Sequence, residues 1–244
     1  LPEDNEEYLA NYDKSVMKEW VDQYGHAPTL NNGETLYKEV LDMYYNYIQS
    51  GWKDYYENTS ADDYVCDLFP RVYSDSSYID KIGYCFIDLN KDGIDELLIG
   101  MDDEDVLQYG NNRQGMIFDL YTYMNDRVIH LASSGERFFY QLCEDNTIYY
   151  YGSGGALSIE YCHYQLSADS PTFLILEDVF SEPDDDWENV YWHYSTSGLY
   201  NPETHRSEGE TRRDISKDKA STIIDAWPKR VSFPIVHFSE YTPQ

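Results

Sequence analysis

The sequence predicts an α+β protein: N-terminal amphipathic helices packed on a tyrosine-rich antiparallel β-meander, with one late helix. Three observations carry this. Up to residue 50 the apolar residues recur at steps of three and four, the period of a helix with one buried face. From Lys81 onward, β-prone runs follow one another at intervals of roughly ten residues, punctuated by Gly, Asn and Asp. After those runs, "SKDKASTIIDAW" (216–227) returns to the helical period. Helices first and strands afterwards indicate α+β rather than an alternating α/β chain. The expected organisation is a helical segment over 1–75 and a β-rich region with the late helix over 76–244, together one compact unit.

The first helix is expected over 4–24, where Leu9, Tyr12, Val16, Met17, Trp20, Val21 and Tyr24 share a face. "GHAPTLNNG" (25–33) breaks it. A second helix is expected over 34–50, with Tyr37, Val40, Leu41, Tyr44, Tyr47 and Ile48 inward, Asn32 as N-cap and Gly51 as the stop. A short helix is expected at 60–68, ending before Pro70. The runs "YCFIDL", "ELLIGM", "GMIFDLYTYMND", "RVIHLAS", "RFFYQLCED", "TIYYYGS", "ALSIEYCHYQLS" and "TFLILEDVFS" supply the strands. "EDN" (144–146) and "GSGG" (152–155) read as hairpin turns. "SEPDDDWEN" (181–189) is an acidic loop, and "NPETHRSEGETRRD" (201–214) a polar surface excursion. Ser216 caps the late helix and Pro228 stops it. "RVSFPIVHFS" closes the chain as an edge strand, because Pro234 cannot donate to a central ladder.

Composition narrows the function. The chain has 244 residues, enough for a sizeable core. Its 46 acids against 17 bases give a formal charge of −29, which repels nucleic acid and anionic lipid and suits a divalent cation. Basic residues cluster only at Arg212-Arg213 and Lys229-Arg230. No run of 18 apolar residues occurs, so no transmembrane segment is expected. The chain opens on Leu1 rather than Met, the start expected of a form from which a leader has been removed. Four cysteines, Cys66, Cys85, Cys143 and Cys162, form no CxxC pair and no zinc spacing. They are four thiols, or disulfides in one of three connectivities.

The chemistry-bearing stretch is "FIDLNKDGIDELLIG" (86–100). Asp88, Asn90 and Asp92 alternate, Gly93 allows a sharp turn, and Glu96 follows before an apolar run. Calcium takes six to eight oxygens, and a tight loop aims alternate side chains inward. The expected ligands are the side chains of Asp88, Asn90, Asp92 and Glu96 and the carbonyl of Ile94. An EF-hand needs Glu at the twelfth position, where this loop has Ile99. The alternative is an acidic β-turn at "NKDG". No G-x-S-x-G, H-E-x-x-H or P-loop motif occurs, and the glycines of "YGSGGALS" lie between strands.

The pattern D-x-N-x-D-G-x-x-E-L between strands resembles the calcium loops of FG-GAP and VCBS-type repeats. More widely, "IGYCFIDLNKDGIDELLIG", "IFDLYTYMNDRVIHL" and "NTIYYYGSGGA" resemble exported, often lipid-anchored proteins of gut Firmicutes, a group to which no activity is assigned. That resemblance spans roughly residues 34–238 and implies an extracellular or envelope-anchored location. The usual loop there has a small residue and a proline where this chain has Lys91 and Asp95. Neither change removes a ligand, but Lys91 adds a positive charge nearby. The expected function is that of a calcium-binding, non-enzymatic envelope protein that binds a glycan or protein. "DWENVYWHY" (186–194) supplies the aromatics for this, with Trp187, Tyr191, Trp192 and Tyr194, unless alternate residues there face the core. The alternative is an extracellular glycoside hydrolase using a carboxylate pair that the sequence does not single out.

Overall fold

The computed structural model describes residues 30–58, 65–102, 106, 113, 115–155, 157–184, 186–187, 189–201, 206–208 and 212–243. The helix expected over 4–24 lies outside them. Among the described residues four helices come first: α1 (Leu30–Leu36), α2 (Lys38–Gln49), α3 (Lys53–Asn58) and α4 (Leu68–Val72). Thirteen strands and α5 (Lys217–Asp225) follow among the described residues, so the protein is mixed α+β with a late helix.

α2 buries Leu41, Tyr44, Tyr47 and Ile48, the stripe read from the sequence. Asn32 is no N-cap, because α1 already starts at Leu30. The stop at Gly51 is a Schellman turn. Gly51 has φ 60°, its N–H donates to Ile48 O, and the Trp52 N–H donates to Tyr47 O at 2.7 Å. Trp52 then rests on Tyr47, with ring centroids 6.0 Å apart. Pro70 lies inside α4 instead of beyond a helix. It occupies the third helical position, where its missing N–H has no partner within the helix to lose. Ser216 caps α5 by accepting from the Lys219 N–H.

The β region forms two antiparallel sheets where a single meander was expected. β1 (Ile82–Ile87), β2 (Glu96–Met101), β4 (Asp119–Met124), β5 (Arg127–Ser133) and β13 (Val236–His237) make a five-stranded sheet in the order β13-β1-β2-β4-β5. β3 (Met116–Ile117), β6 (Phe138–Leu142), β7 (Ile148–Ser153), β8 (Ile159–Leu166), β9 (Phe173–Pro183), β10 (Val190–Asn201) and β11 (Arg206–Glu208) run β11-β10-β9-β8-β7-β6-β3, with β12 (Arg213–Ile215) also on β10. The chain changes sheets at Phe118, whose N–H donates to Ile99 O at 2.8 Å. The expected turn at 144–146 joins β6 to β7, while of "GSGG" (152–155) Gly152 and Ser153 are still paired in β7 and the turn to β8 begins at Gly154. The stretch 201–214 is not a loop throughout, since β11 and β12 lie in it. The terminal strand is at a sheet edge but is confined to Val236–His237, after Pro234.

Helices cover one face of the five-stranded sheet, where Tyr84, Phe86, Leu97 and Ile99 meet Tyr37, Leu41, Tyr44 and Phe238. Aromatic rings bind this layer: Phe69 stacks on Phe118 at 4.5 Å and on Trp52 at 5.7 Å. Each fully buried large apolar side chain contributes about 1.5–3 kcal/mol. The other face lies against the second sheet, with Cys85, Ile87, Leu98 and Leu120 meeting Leu142, Ile148, Tyr164 and Phe173. The far face of the second sheet is covered after α5, where Trp227 packs on Tyr149 and His163. All four cysteines are free and buried. Among the described residues no helix is long and apolar enough to cross a membrane.

Candidate functional site

The acidic loop joins β1 to β2, whose last pair is Ile87 opposite Glu96. The pleat drives Leu89 into the inter-sheet core, and the flanking oxygens gather around the turn. Lys91 and Gly93 have positive φ, 63° and 90°, and together they fold the chain back. The Asp92 and Gly93 N–H groups donate to the two oxygens of Asp88, at 3.1 and 3.0 Å. The Ile94 N–H donates to Asp92 Oδ1 at 2.8 Å, and the Asp92 N–H to Asn90 Oδ1 at 3.0 Å. Asn90 Nδ2 sits among three oxygens: Asp92 Oδ2 at 3.2 Å, Glu96 Oε1 at 3.3 Å and Ser167 O at 3.4 Å. A half-turn of this amide would put its oxygen there instead.

Glu96 is fully buried. Burial pushes its carboxyl up to about 8, and the Asp92 and Asp88 charges add to this; donation from the Leu89 N–H and Thr122 hydroxyl opposes it. A carboxyl so placed lacks a counter-charge, which a cation would supply. The donor set is all oxygen, as a hard cation requires. The Asn146 amide donates to Asp88 O at 3.4 Å, and its own Oδ1 is buried without a partner. These features fit a calcium ion. The carboxylates are nevertheless not drawn tightly around one point. Among the described residues, the three ligand atoms lying within 4.8 Å of one another belong to Glu160, Cys162 and Asp178. The Ile94 side chain is exposed.

The structure adds partners that the loop sequence could not supply. Thr122 comes from β4, Ser167 from the turn after β8, and Asn146 from the turn between β6 and β7. The Tyr37 hydroxyl, at the junction of α1 and α2, donates to Asp95 O at 2.8 Å. Of the acidic residues past β2, Asp102 pairs with His237 at 3.1 Å, and 103–105 lie outside the described residues.

The aromatic run around β10 divides. Tyr194 is buried, with its hydroxyl donating to Glu177 at 2.6 Å, and Trp192 is packed against the core. Trp187 and Tyr191 are exposed, at 68% and 51%. Tyr191 and Trp192 line a groove of about 400 Å³ with Ser181, Asp214, Ser216 and Lys217. Asp214 is the one carboxylate among the described residues lining it.

Asp119, His130 and Ser133 resemble a hydrolytic triad in composition but not in geometry. Nε2 of His130 faces both Asp119 Oδ1 and Ser133 Oγ, each at 3.0 Å. A triad uses the two ring nitrogens separately, one for each partner. Asp119 is fully buried and also accepts from Tyr44 and from the Cys66 N–H, so it knits α2 to β4.

Compared with protein-family models, with curated proteins and with solved structures, the chain matches none.

Proposed function

We propose that the protein is an exported, calcium-stabilised and non-enzymatic module of a bacterial cell envelope that binds a glycan in the groove beside β10. The groove carries this reading. Tyr191 offers a half-exposed ring at its rim, and Trp192 an apolar wall. The C–H faces of a sugar ring stack on such surfaces, and its hydroxyls bond to groups such as Asp214, Ser216 and Lys217. At about 400 Å³ the groove suits a short saccharide or a chain end. Hydrolysis of a glycosidic bond uses two facing carboxylates, whereas the described lining brings one. The export and envelope location rest on the resemblance carried by residues 34–238. Calcium in the β1–β2 loop has a structural part in this reading, because the loop belongs to the other sheet from the groove.

The test is a glycan array probed with the full chain in millimolar calcium, alongside Tyr191→Ala. Binding to a set of related saccharides, weakened about tenfold or more in Tyr191→Ala, is the expected result. Equal binding by the variant, or binding to no saccharide on the array, overturns the proposal.

A further inference from the structure

Three strands of the larger sheet bring a second set of metal-ligating groups together, far along the chain from the acidic loop. Cys162 on β8 stands opposite Asp178 on β9, and Asp178 stands opposite Ser195 on β10. Directly opposed residues of antiparallel strands point to the same face, so the three form one row. Glu160, two residues before Cys162, shares that face. Ligand atoms of Glu160, Cys162 and Asp178 lie within 4.8 Å of one another, and the Cys162 thiol donates to Asp178 Oδ1 at 3.5 Å.

A second observation points to a ligand. Ser195 is 1% exposed, and its hydroxyl has no hydrogen-bond partner. A buried hydroxyl without a partner gives up its hydrogen bonds to water and gains none in return. The carboxylate directly across the strand pair from it is Asp178, the middle member of the row.

We propose that Glu160, Cys162 and Asp178 form a cation site for a zinc-class ion, distinct from the acidic loop, with the Ser195 hydroxyl holding a metal-bound water. The donor set decides the class. One sulfur and two carboxylate oxygens suit zinc, which accepts both in a tetrahedron, and exclude calcium, which takes oxygen alone. Three protein ligands leave a fourth position for water. Cys162 and Asp178 are buried, and the half-buried Glu160 is the member that reaches toward solvent. On binding, the Cys162 thiol gives its proton to solvent and its sulfur bonds the ion, so one proton leaves for each such bond formed. The ion would brace β8 to β9 at the flank of the inter-sheet core.

The test uses cobalt(II) as a spectroscopic stand-in for zinc, titrated into the full chain after treatment with chelator and reductant. The native protein should take up one cobalt per chain with a thiolate-to-cobalt charge-transfer absorption. Zinc should displace it and calcium should not. Cys162→Ser should abolish the absorption, while Cys85→Ser, which alters another buried thiol, should keep it. Ser195→Ala should weaken binding about tenfold or more, as loss of an outer hydrogen bond does at metal sites. Circular dichroism and melting curves show whether each variant is folded. If Cys162→Ser does not fold, Glu160→Gln, at the half-buried member, replaces it and should weaken cobalt binding about tenfold or more. No charge-transfer absorption, or an absorption retained at native affinity in the folded variant, overturns the proposal.

Discussion

Neutralising Glu96 separates a cation site from an acidic turn. The change is Glu96→Gln, which keeps the shape and removes the charge. Its cost to the calcium-free protein follows from the contacts. A Gln oxygen can accept from the Leu89 N–H, as Glu96 Oε2 does at 2.9 Å, and the amide nitrogen can donate to Thr122 Oγ1, now at 2.9 Å from Oε1. The carboxyl it replaces is itself raised to about 8 by burial, so an uncharged group is already favoured near neutral pH without an ion. The calcium-free variant should therefore stay within about 1 kcal/mol of the parent. Calcium sites of extracellular modules bind at about 0.1–1 mM. At 1 mM calcium, linkage then stabilises the parent by about 0.4–1.4 kcal/mol. For a chain of 244 residues this is roughly 1–6 °C in melting temperature. Differential scanning fluorimetry with chelator, calcium and magnesium reads it. The parent should rise with calcium and less with magnesium. Glu96→Gln should start near the parent and not respond, and Asp92→Ala should lose the response while remaining folded. A parent that melts identically in chelator and calcium, or a Glu96→Gln variant that still responds fully, refutes the reasoning.

Three further predictions follow from buried groups. Asp119→Ala should cost about 3–5 kcal/mol in urea unfolding, because it strands the Cys66 N–H and the Tyr44 hydroxyl in the core. Asp119→Asn should cost about 1–2 kcal/mol, since its oxygen can serve those two donors while its nitrogen faces His130 and Ser133, which can accept; equal costs would contradict this. Burial raises the Cys143 thiol to about 11 from an ordinary 9.0, so its share of stability is full below pH 9 and is lost as pH rises toward 11. That share is about 2–3 kcal/mol at most, and the stability gap between parent and Cys143→Ala should narrow by it over that range. Without reductant, denatured protein should release four titratable thiols and native protein almost none, given four free and buried cysteines; two or none after denaturation would show disulfides.

What the sequence made legible was local. The α2 stripe, the Gly51 stop, the Ser216 cap and the turn at 144–146 each depend on residues within a few positions and are in place, and the second turn is displaced by two residues. The division into two sheets was not legible. "GMIFDLYTYMND" reads as one β-prone run, yet Met116–Ile117 pairs with β6 and Asp119–Met124 with β2 and β5. Partner choice there depends on contacts far along the chain, which propensity does not encode. The same limit hid Thr122, Ser167 and Asn146 around the loop, and the pairing of Cys162 with Asp178. That pairing also depends on register, because a shift between His163 and Tyr164 alters which residues face each other. The groove joins β8, β9 and β10 to the start of α5, so no single stretch could have announced it.

The loop is more than a hairpin tip. β1 and β2 are buried along their whole length, unlike strands with one wet face, because helices cover one side and the second sheet the other. Their connection therefore emerges where three layers meet. Tyr37 reaches it from the helices, Thr122 from the same sheet, and Asn146 and Ser167 from the two turns of the second sheet. A cation among Asp88, Asn90, Asp92, the Ile94 carbonyl and Glu96 would then fix not only a turn but the mutual position of the layers. An isolated hairpin would lose its ion with little effect elsewhere. At this junction, removal of the ion should be felt in the Tyr37 and Ser167 contacts together, and amide exchange should quicken in α2 and in the 167–172 turn as well as in the loop.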